Sequence, residues 1–200
     1  MLASTQRRRL RIVRFAIAAA ICTVVTSSMG LADPLQERLR VCGACHGEDG
    51  NSKMENTPSL AGQPELFLTN QLIMMRERVR RSEVMEPFVK DLKDGDIMAL
   101  AAHYAKLKPD PGNEPVDAGA VARGAQLSLQ LRCGSCHLPT YEGYQQMPRL
   151  APQRLDYLIK SLTEYRDGKR YGIDTSMNGV MYRVPDRDIR ALAHYLVSLR

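Results

Sequence analysis

The chain has 200 residues, with 28 Lys and Arg against 22 Asp and Glu, five Cys, four His, ten Met and no Trp. Its formal charge of +6 is concentrated at one end: residues 1–32 carry five arginines and no acidic side chain, and the remainder is almost balanced. A charge excess confined to one terminal segment gives no argument for a nucleic-acid partner or for an anionic-membrane surface on the rest of the chain.

That terminal segment reads as an export signal. A basic region ends at Arg14, an apolar region runs from Phe15 to Val25, and Gly30-Leu31-Ala32 before Asp33 forms a cleavage site. The apolar run falls well short of the ~20 residues that span a bilayer, so removal of residues 1–32 is expected rather than their retention as an anchor. Cys22 leaves with the signal, and four cysteines remain.

From Pro34 to Val41 the composition predicts a short helix, with Leu35, Leu39 and Val41 as its apolar positions, leading into Cys42-Gly43-Ala44-Cys45-His46. Two cysteines separated by two residues and followed at once by histidine form the attachment signature of a c-type haem. Each thiol can add to one vinyl group of the same porphyrin, which holds the adjacent imidazole where it can ligate the iron. The motif recurs as Cys133-Gly134-Ser135-Cys136-His137. A zinc ribbon brings its second cysteine pair much closer in sequence, and a thioredoxin-like site gives no reason for His46 and His137. Two covalently bound haem c groups are therefore expected, held by Cys42, Cys45, Cys133 and Cys136, with His46 and His137 as iron ligands.

After the first motif comes a turn-rich loop, Gly47 to Ser52, and then Pro58-Ser59-Leu60-Ala61-Gly62-Gln63-Pro64. Pro64 suits a helix start. Beyond it Phe67, Leu68, Leu72 and Met75 share one helical face, with Arg76, Arg78 and Arg80 towards its end. Met85 falls in a loop with Pro87, and a further helix is expected from Ile97 to Leu107, capped by Asp94. Residues 109–115 hold three prolines and a glycine and read as an extended, semi-rigid linker.

The second half repeats this order. A leading helix from Val116 to Arg132 precedes the motif, Pro148-Arg149-Leu150-Ala151-Pro152-Gln153 echoes the first proline segment, and Leu155, Leu158, Ile159 and Leu162 form the next helical face. Asp186-Arg187-Asp188-Ile189 opens the last helix as Asp94-Gly95-Asp96-Ile97 opens its partner. Met85 lies twelve residues before Ile97 and Met177 twelve before Ile189. Methionine ordinarily fills cores, but matched positions in two repeats assign Met85 and Met177 as the second axial ligands, with Met181 the rival in the second half. His103 and His194 are not equivalent in the repeat and read as half-exposed helix residues. The expected organisation is a signal over 1–32, a first domain over 33–108, the linker over 109–115 and a second domain over 116–200.

These segments together resemble the dihaem class I cytochromes c, in particular the cytochrome c4 family, over nearly all of the chain beyond the signal. The resemblance implies an all-α fold of two tandem cytochrome c domains, each wrapped around one covalent haem with His/Met ligation. It further implies export to the bacterial periplasm, single-electron transfer, and bonds from His46 and His137 to the carbonyls of Pro58 and Pro148. The second half departs from the pattern: it lacks the Gly-Asn-Ser loop and has Pro152 in place of Gly62, so unequal haem environments are expected.

A carrier without substrate turnover is the leading function, since a six-coordinate iron has no vacant site. The alternative is the haem-bearing subunit of a periplasmic dehydrogenase, and a dihaem peroxidase ranks last. Redox proteins are the expected partners: a dehydrogenase, a membrane quinol-oxidising complex or a terminal oxidase. Peripheral association with the membrane is compatible with this reading, nucleic acid is not expected, and the oligomeric state is left open.

Overall fold

The computed structural model describes residues 33–199, and among these the secondary structure is helical without strands. Residues 1–32, where an export signal is expected, and Cys22 with them, lie outside the described residues. Helix α1 (Pro34–His46) begins at Asp33, whose carboxylate accepts a hydrogen bond from the Leu35 amide at 3.0 Å. Pro34 sits in the first turn, where its missing N–H has no partner to lose. The helix does not stop at Val41 but continues through the first cysteine motif and ends at Gly47, with φ 86°. Val41 is exposed, so of the three expected apolar positions only Leu35 and Leu39 reach the core.

Helix α2 (Glu65–Arg76) follows Pro64, α3 (Glu86–Val89) is a single turn, and α4 (Asp94–Lys106) closes the first half. Packing of α2 on α3 and α4, and of α1 on α4, buries Val89, Leu92, Ile97 and Leu100 in one cluster and Leu68, Ala101 and Tyr104 in another. Arg78 and Arg80 lie beyond the end of α2, not on it. Asp94 is the first helical residue of α4 rather than its cap; it receives Arg76 Nη1 at 2.7 Å, while the Asp96 carboxylate accepts from the Lys93 amide at 3.0 Å. Arg76 also donates to the Leu92 carbonyl at 3.0 Å.

In the second half α5 (Ala118–Gln130) is capped by Asp117 and stops short of the motif, which forms its own turn, α6 (Cys133–His137), after Arg132 adopts left-handed backbone at φ 55°. Then come α7 (Leu155–Arg166), α8 (Ser176–Met181) and α9 (Asp186–Ser198). Helix α5 lies along α9, and α7 packs on both α8 and α9. Arg166 repeats the contacts of Arg76, donating to the Val184 carbonyl at 3.3 Å and pairing with Asp186.

The loop after the second motif keeps the path of the first despite its different sequence. Where Gly47 and Gly50 have positive φ, Leu138 and Tyr141 have φ 68° and 59°. The Gly50 amide donates to the Gly47 carbonyl at 2.9 Å and that of Tyr141 to Leu138 at 3.0 Å. Leu60 closes on Gly50 at 2.7 Å as Leu150 closes on Tyr141 at 2.8 Å. The loss of Gly-Asn-Ser therefore changes side chains and not the backbone route: Tyr141 is buried, with its hydroxyl 2.6 Å from Ser128 Oγ.

Residues 109–115 are irregular and held at both ends. Asn51 accepts from the Asp110 amide at 2.8 Å and donates to the Lys108 carbonyl at 3.1 Å, while Glu114 accepts from the Leu155 amide at 2.8 Å. Gly62 admits this route, because a Cβ there would stand 2.9 Å from Pro109 Cγ. The two halves form one compact unit. No described helix is long and apolar enough to cross a membrane.

Candidate functional site

Each motif presents its two cysteines and its histidine on a single helical stretch, since positions i, i+3 and i+4 share a helix face. Cys42 and Cys133 are half-buried against the cores of their own halves. Burial pushes both thiols up. Among the described residues no three His, Cys, Asp or Glu side chains converge, so the two cysteine pairs do not combine into a zinc site.

His46 and His137 are buried, and burial holds both imidazoles below the usual histidine range, against the opposing pull of one backbone hydrogen bond each. That bond runs from His46 Nδ1 to the Pro58 carbonyl and from His137 Nδ1 to the Pro148 carbonyl, at 2.9 Å in each case. A carbonyl only accepts, so Nδ1 carries the hydrogen and the lone pair sits on Nε2. His137 Nε2 is buried without a partner. A neutral, oriented imidazole with an orphaned lone pair fits an iron.

The methionines lie on short helical turns rather than in open loops. Met85 immediately precedes α3 and packs against the first-half core, and Met177 lies in α8 against the second-half core. Four residues after each comes a side chain only 1% exposed, Val89 in the first half and Met181 in the second. His103 and His194 sit on α4 and α9; His194 Nδ1 accepts from the Asp117 amide at 3.4 Å.

Several side chains at the centre of the molecule were not singled out by the sequence. Gln63, 4% exposed, accepts from the Arg149 amide at 3.0 Å and donates to the Arg149 carbonyl at 2.8 Å. Gln153, 8% exposed, accepts from the Ser59 amide and donates to the Ser59 carbonyl, both at 2.9 Å. The Arg149 guanidinium donates to the carbonyls of Ala61, Gly62 and Pro152, and burial lowers it to about 10. The signal that could have found the glutamines is their identical place at the end of the two proline segments.

Two further cations, Arg80 and Arg170, lie close enough for each to lower the Tyr157 phenol. Arg170 is buried and bonds to Ser161 and to Tyr157 Oη at 3.0 Å, with its guanidinium 4.9 Å from the Tyr165 ring centre. Arg80 donates to Gln71 Oε1 at 2.6 Å. Burial would push the Tyr157 phenol up, but the positive fields of Arg170 and Arg80 outweigh it and bring the group down to about 8. Both guanidiniums are bonded to neutral oxygens, and Arg170 Nε is buried without a partner. A buried cation in the condition of Arg170, with the half-buried Arg80 beside it, suits an anion such as a haem carboxylate.

Two helical halves, each with a cysteine pair and an oriented histidine, define a dihaem c-type cytochrome built from two tandem cytochrome c domains. The cytochrome c family model matches residues 121–200. Cytochrome c4 of Pseudomonas aeruginosa is 32% identical over 186 residues, covering 88% of this chain and 92% of that protein. A thiosulfate dehydrogenase electron acceptor of Thiomonas intermedia is 31% identical over 94% of this chain and 90% of its own. The crystal structure of reduced cytochrome c4 from Pseudomonas stutzeri superposes with a TM-score of 0.76 at 33% identity, over 83% of this chain and 97% of that one. The chain belongs to the cytochrome c4 family. It carries two covalently bound haem c groups and transfers electrons rather than turning over a substrate of its own.

Proposed function

We propose that Cys42 and Cys45 attach one haem and Cys133 and Cys136 the other, with His46 and Met85 ligating the first iron and His137 and Met177 the second. The observation that carries this reading is the matched imidazole-to-proline-carbonyl bond, which fixes a neutral tautomer in both halves and leaves His137 Nε2 orphaned. Met177 is preferred to Met181 because Met181 occupies the buried place that Val89 fills in the first half, and valine cannot ligate. Met177 is then the counterpart of Met85. Arg80 and Arg170 receive the haem carboxylates.

When bound, each haem supplies a one-electron couple, which thioether ligation biases towards the reduced state. The chain contributes orientation through the Pro58 and Pro148 carbonyls, exclusion of water through its cores, and cations near the propionates. The proposed boundaries are a cleaved signal over 1–32, domains over 33–108 and 116–200, and the linker over 109–115; the export signal supports a periplasmic location. On denaturing extraction, a chain starting near Asp33 is expected to show two haem additions by intact mass, falling to one for the Cys42→Ala/Cys45→Ala pair. Release of the haem by acid acetone, or zinc in its place, would rule the attachment out.

The protein is proposed to take single electrons from a periplasmic dehydrogenase and pass them to a terminal oxidase, or to relay them from a membrane quinol-oxidising complex. Similarity to a protein named as the electron acceptor of a dehydrogenase favours the first donor class. Copurification from the native host separates a free carrier, recovered as one dihaem polypeptide, from a dehydrogenase subunit recovered with its partner.

A further inference from the structure

The two peptide groups that orient the histidines are each held from the opposite half. The Pro58–Ser59 peptide accepts from His46 Nδ1 at its carbonyl, 2.9 Å, and donates through its N–H to Gln153 Oε1, also 2.9 Å. The Pro148–Arg149 peptide accepts from His137 Nδ1 at 2.9 Å and donates to Gln63 Oε1 at 3.0 Å. Two continuous hydrogen-bonded chains therefore run between the halves, each from a histidine through one peptide plane to a buried glutamine.

We propose that Gln63 and Gln153 are positioning residues that tune the haem of the other domain: Gln153 sets the potential of the first haem through Pro58 and His46, and Gln63 that of the second through Pro148 and His137. The inference rests on the ligation reading given under Proposed function. Its physical basis is polarisation along a hydrogen-bond chain. An acceptor on the peptide N–H draws density towards the carbonyl oxygen, strengthening the next bond by roughly 10–30%. A stronger acceptor on Nδ1–H makes the imidazole more basic, which favours ferric iron. Loss of the glutamine oxygen should therefore raise the potential.

The amide orientations are fixed by their partners. The N–H of Ser59 and of Arg149 must face an oxygen, and each glutamine Nε2 donates to the carbonyl of the same residue, at 2.9 Å for Ser59 and 2.8 Å for Arg149. Each side chain thus grips one residue of the other half from both backbone groups. The relay is symmetric in kind but joins domains, so changing one haem's environment requires a residue of the other's.

The experiment is a redox titration of the holoprotein and of its Gln153→Leu and Gln63→Leu variants, with each haem followed by its own methyl resonances in proton NMR spectra. Gln153→Leu is expected to shift the ferric-to-ferrous ratio of the first haem about threefold towards ferrous at fixed applied potential, roughly 28 mV at 59 mV per tenfold for one electron, with a smaller change at the second. Gln63→Leu should give the mirror result. A shift confined to the variant's own domain, equal shifts at both haems, or no shift at either would overturn the proposal. If a leucine variant fails to assemble with two haems, Gln153→Glu decides by the same crossed criterion, with the sign reversed because a carboxylate is the stronger acceptor. Failure of the ligation reading would register separately, as absence of the hyperfine-shifted axial histidine and methionine resonances in the unsubstituted protein.

Discussion

Replacing Met177 with alanine is expected to lower the potential of the second haem by a sizeable part of the roughly 0.8 V range that axial ligation spans, and to abolish its sulfur-to-iron absorption. The first haem should change little. Met85→Ala should do the same to the first haem and leave the second. Met181→Ala is expected to behave differently. Its side chain is 1% exposed in the cluster formed with Leu162, Tyr165, Val184, Ile189 and Leu192, so truncation leaves a cavity and costs about 2–5 kcal/mol of stability. The absorption and both potentials should survive it. Thermal unfolding and redox titration of the three variants together separate a lost ligand from a lost core methionine; loss of the absorption in Met181→Ala with its retention in Met177→Ala would reverse the assignment.

The proposed pairing of Met85 with Met177 depends on distance along the chain to a repeated landmark, Ile97 in one half and Ile189 in the other. The haem motifs are likewise local. Helix ends were less legible where local signals conflict: Asp94 has the composition of a cap, but the Arg76 guanidinium draws it into the first turn while Asp96 serves the Lys93 amide. The turns α3 and α8 are too short to establish a period, so Met85 and Met177 read as loop residues.

What a linear repeat conceals is contact between its copies. Internal alignment equates Gln63 with Gln153 and Ser59 with Arg149, yet the bonds formed are Gln63 to Arg149 and Gln153 to Ser59. Matching positions suggest equal roles within each half. Only the docking of the halves makes those roles reciprocal. The second loop carries the same lesson in reverse: its sequence departs from Gly-Asn-Ser, but Leu138 and Tyr141 accept the positive φ of Gly47 and Gly50, and Tyr141 uses the space for a buried hydroxyl bond that glycine cannot make.

Gly124→Ala is expected to destabilise the second domain by about 2 kcal/mol or more, at the upper part of the usual overpacking range. Gly124 is buried in α5 where that helix packs on α9. A Cβ there would stand 2.0 Å from the Ala191 carbonyl oxygen, 2.6 Å from its carbon and 2.7 Å from Tyr195 Cβ. Two of these are backbone atoms of a helix that also anchors the second-half core through Leu192, Ala193, Leu196 and Val197, so neither can rotate away. The helices must separate, and every contact along their length loosens with them. Alanine's higher helix propensity returns at most about 1 kcal/mol, which does not offset the clash. For a domain of this size each kcal/mol is worth roughly 4–8 °C in Tm, so thermal unfolding of the holoprotein should reveal the change directly. Gly95→Ala is the matched control, because Gly95 is exposed near the start of α4 with nothing within 4 Å of its would-be Cβ. It should leave Tm unchanged or slightly raised; an equally unaffected Gly124→Ala variant would mean that α5 and α9 yield to the added methyl at no cost, and that their close approach is not what holds the second domain together.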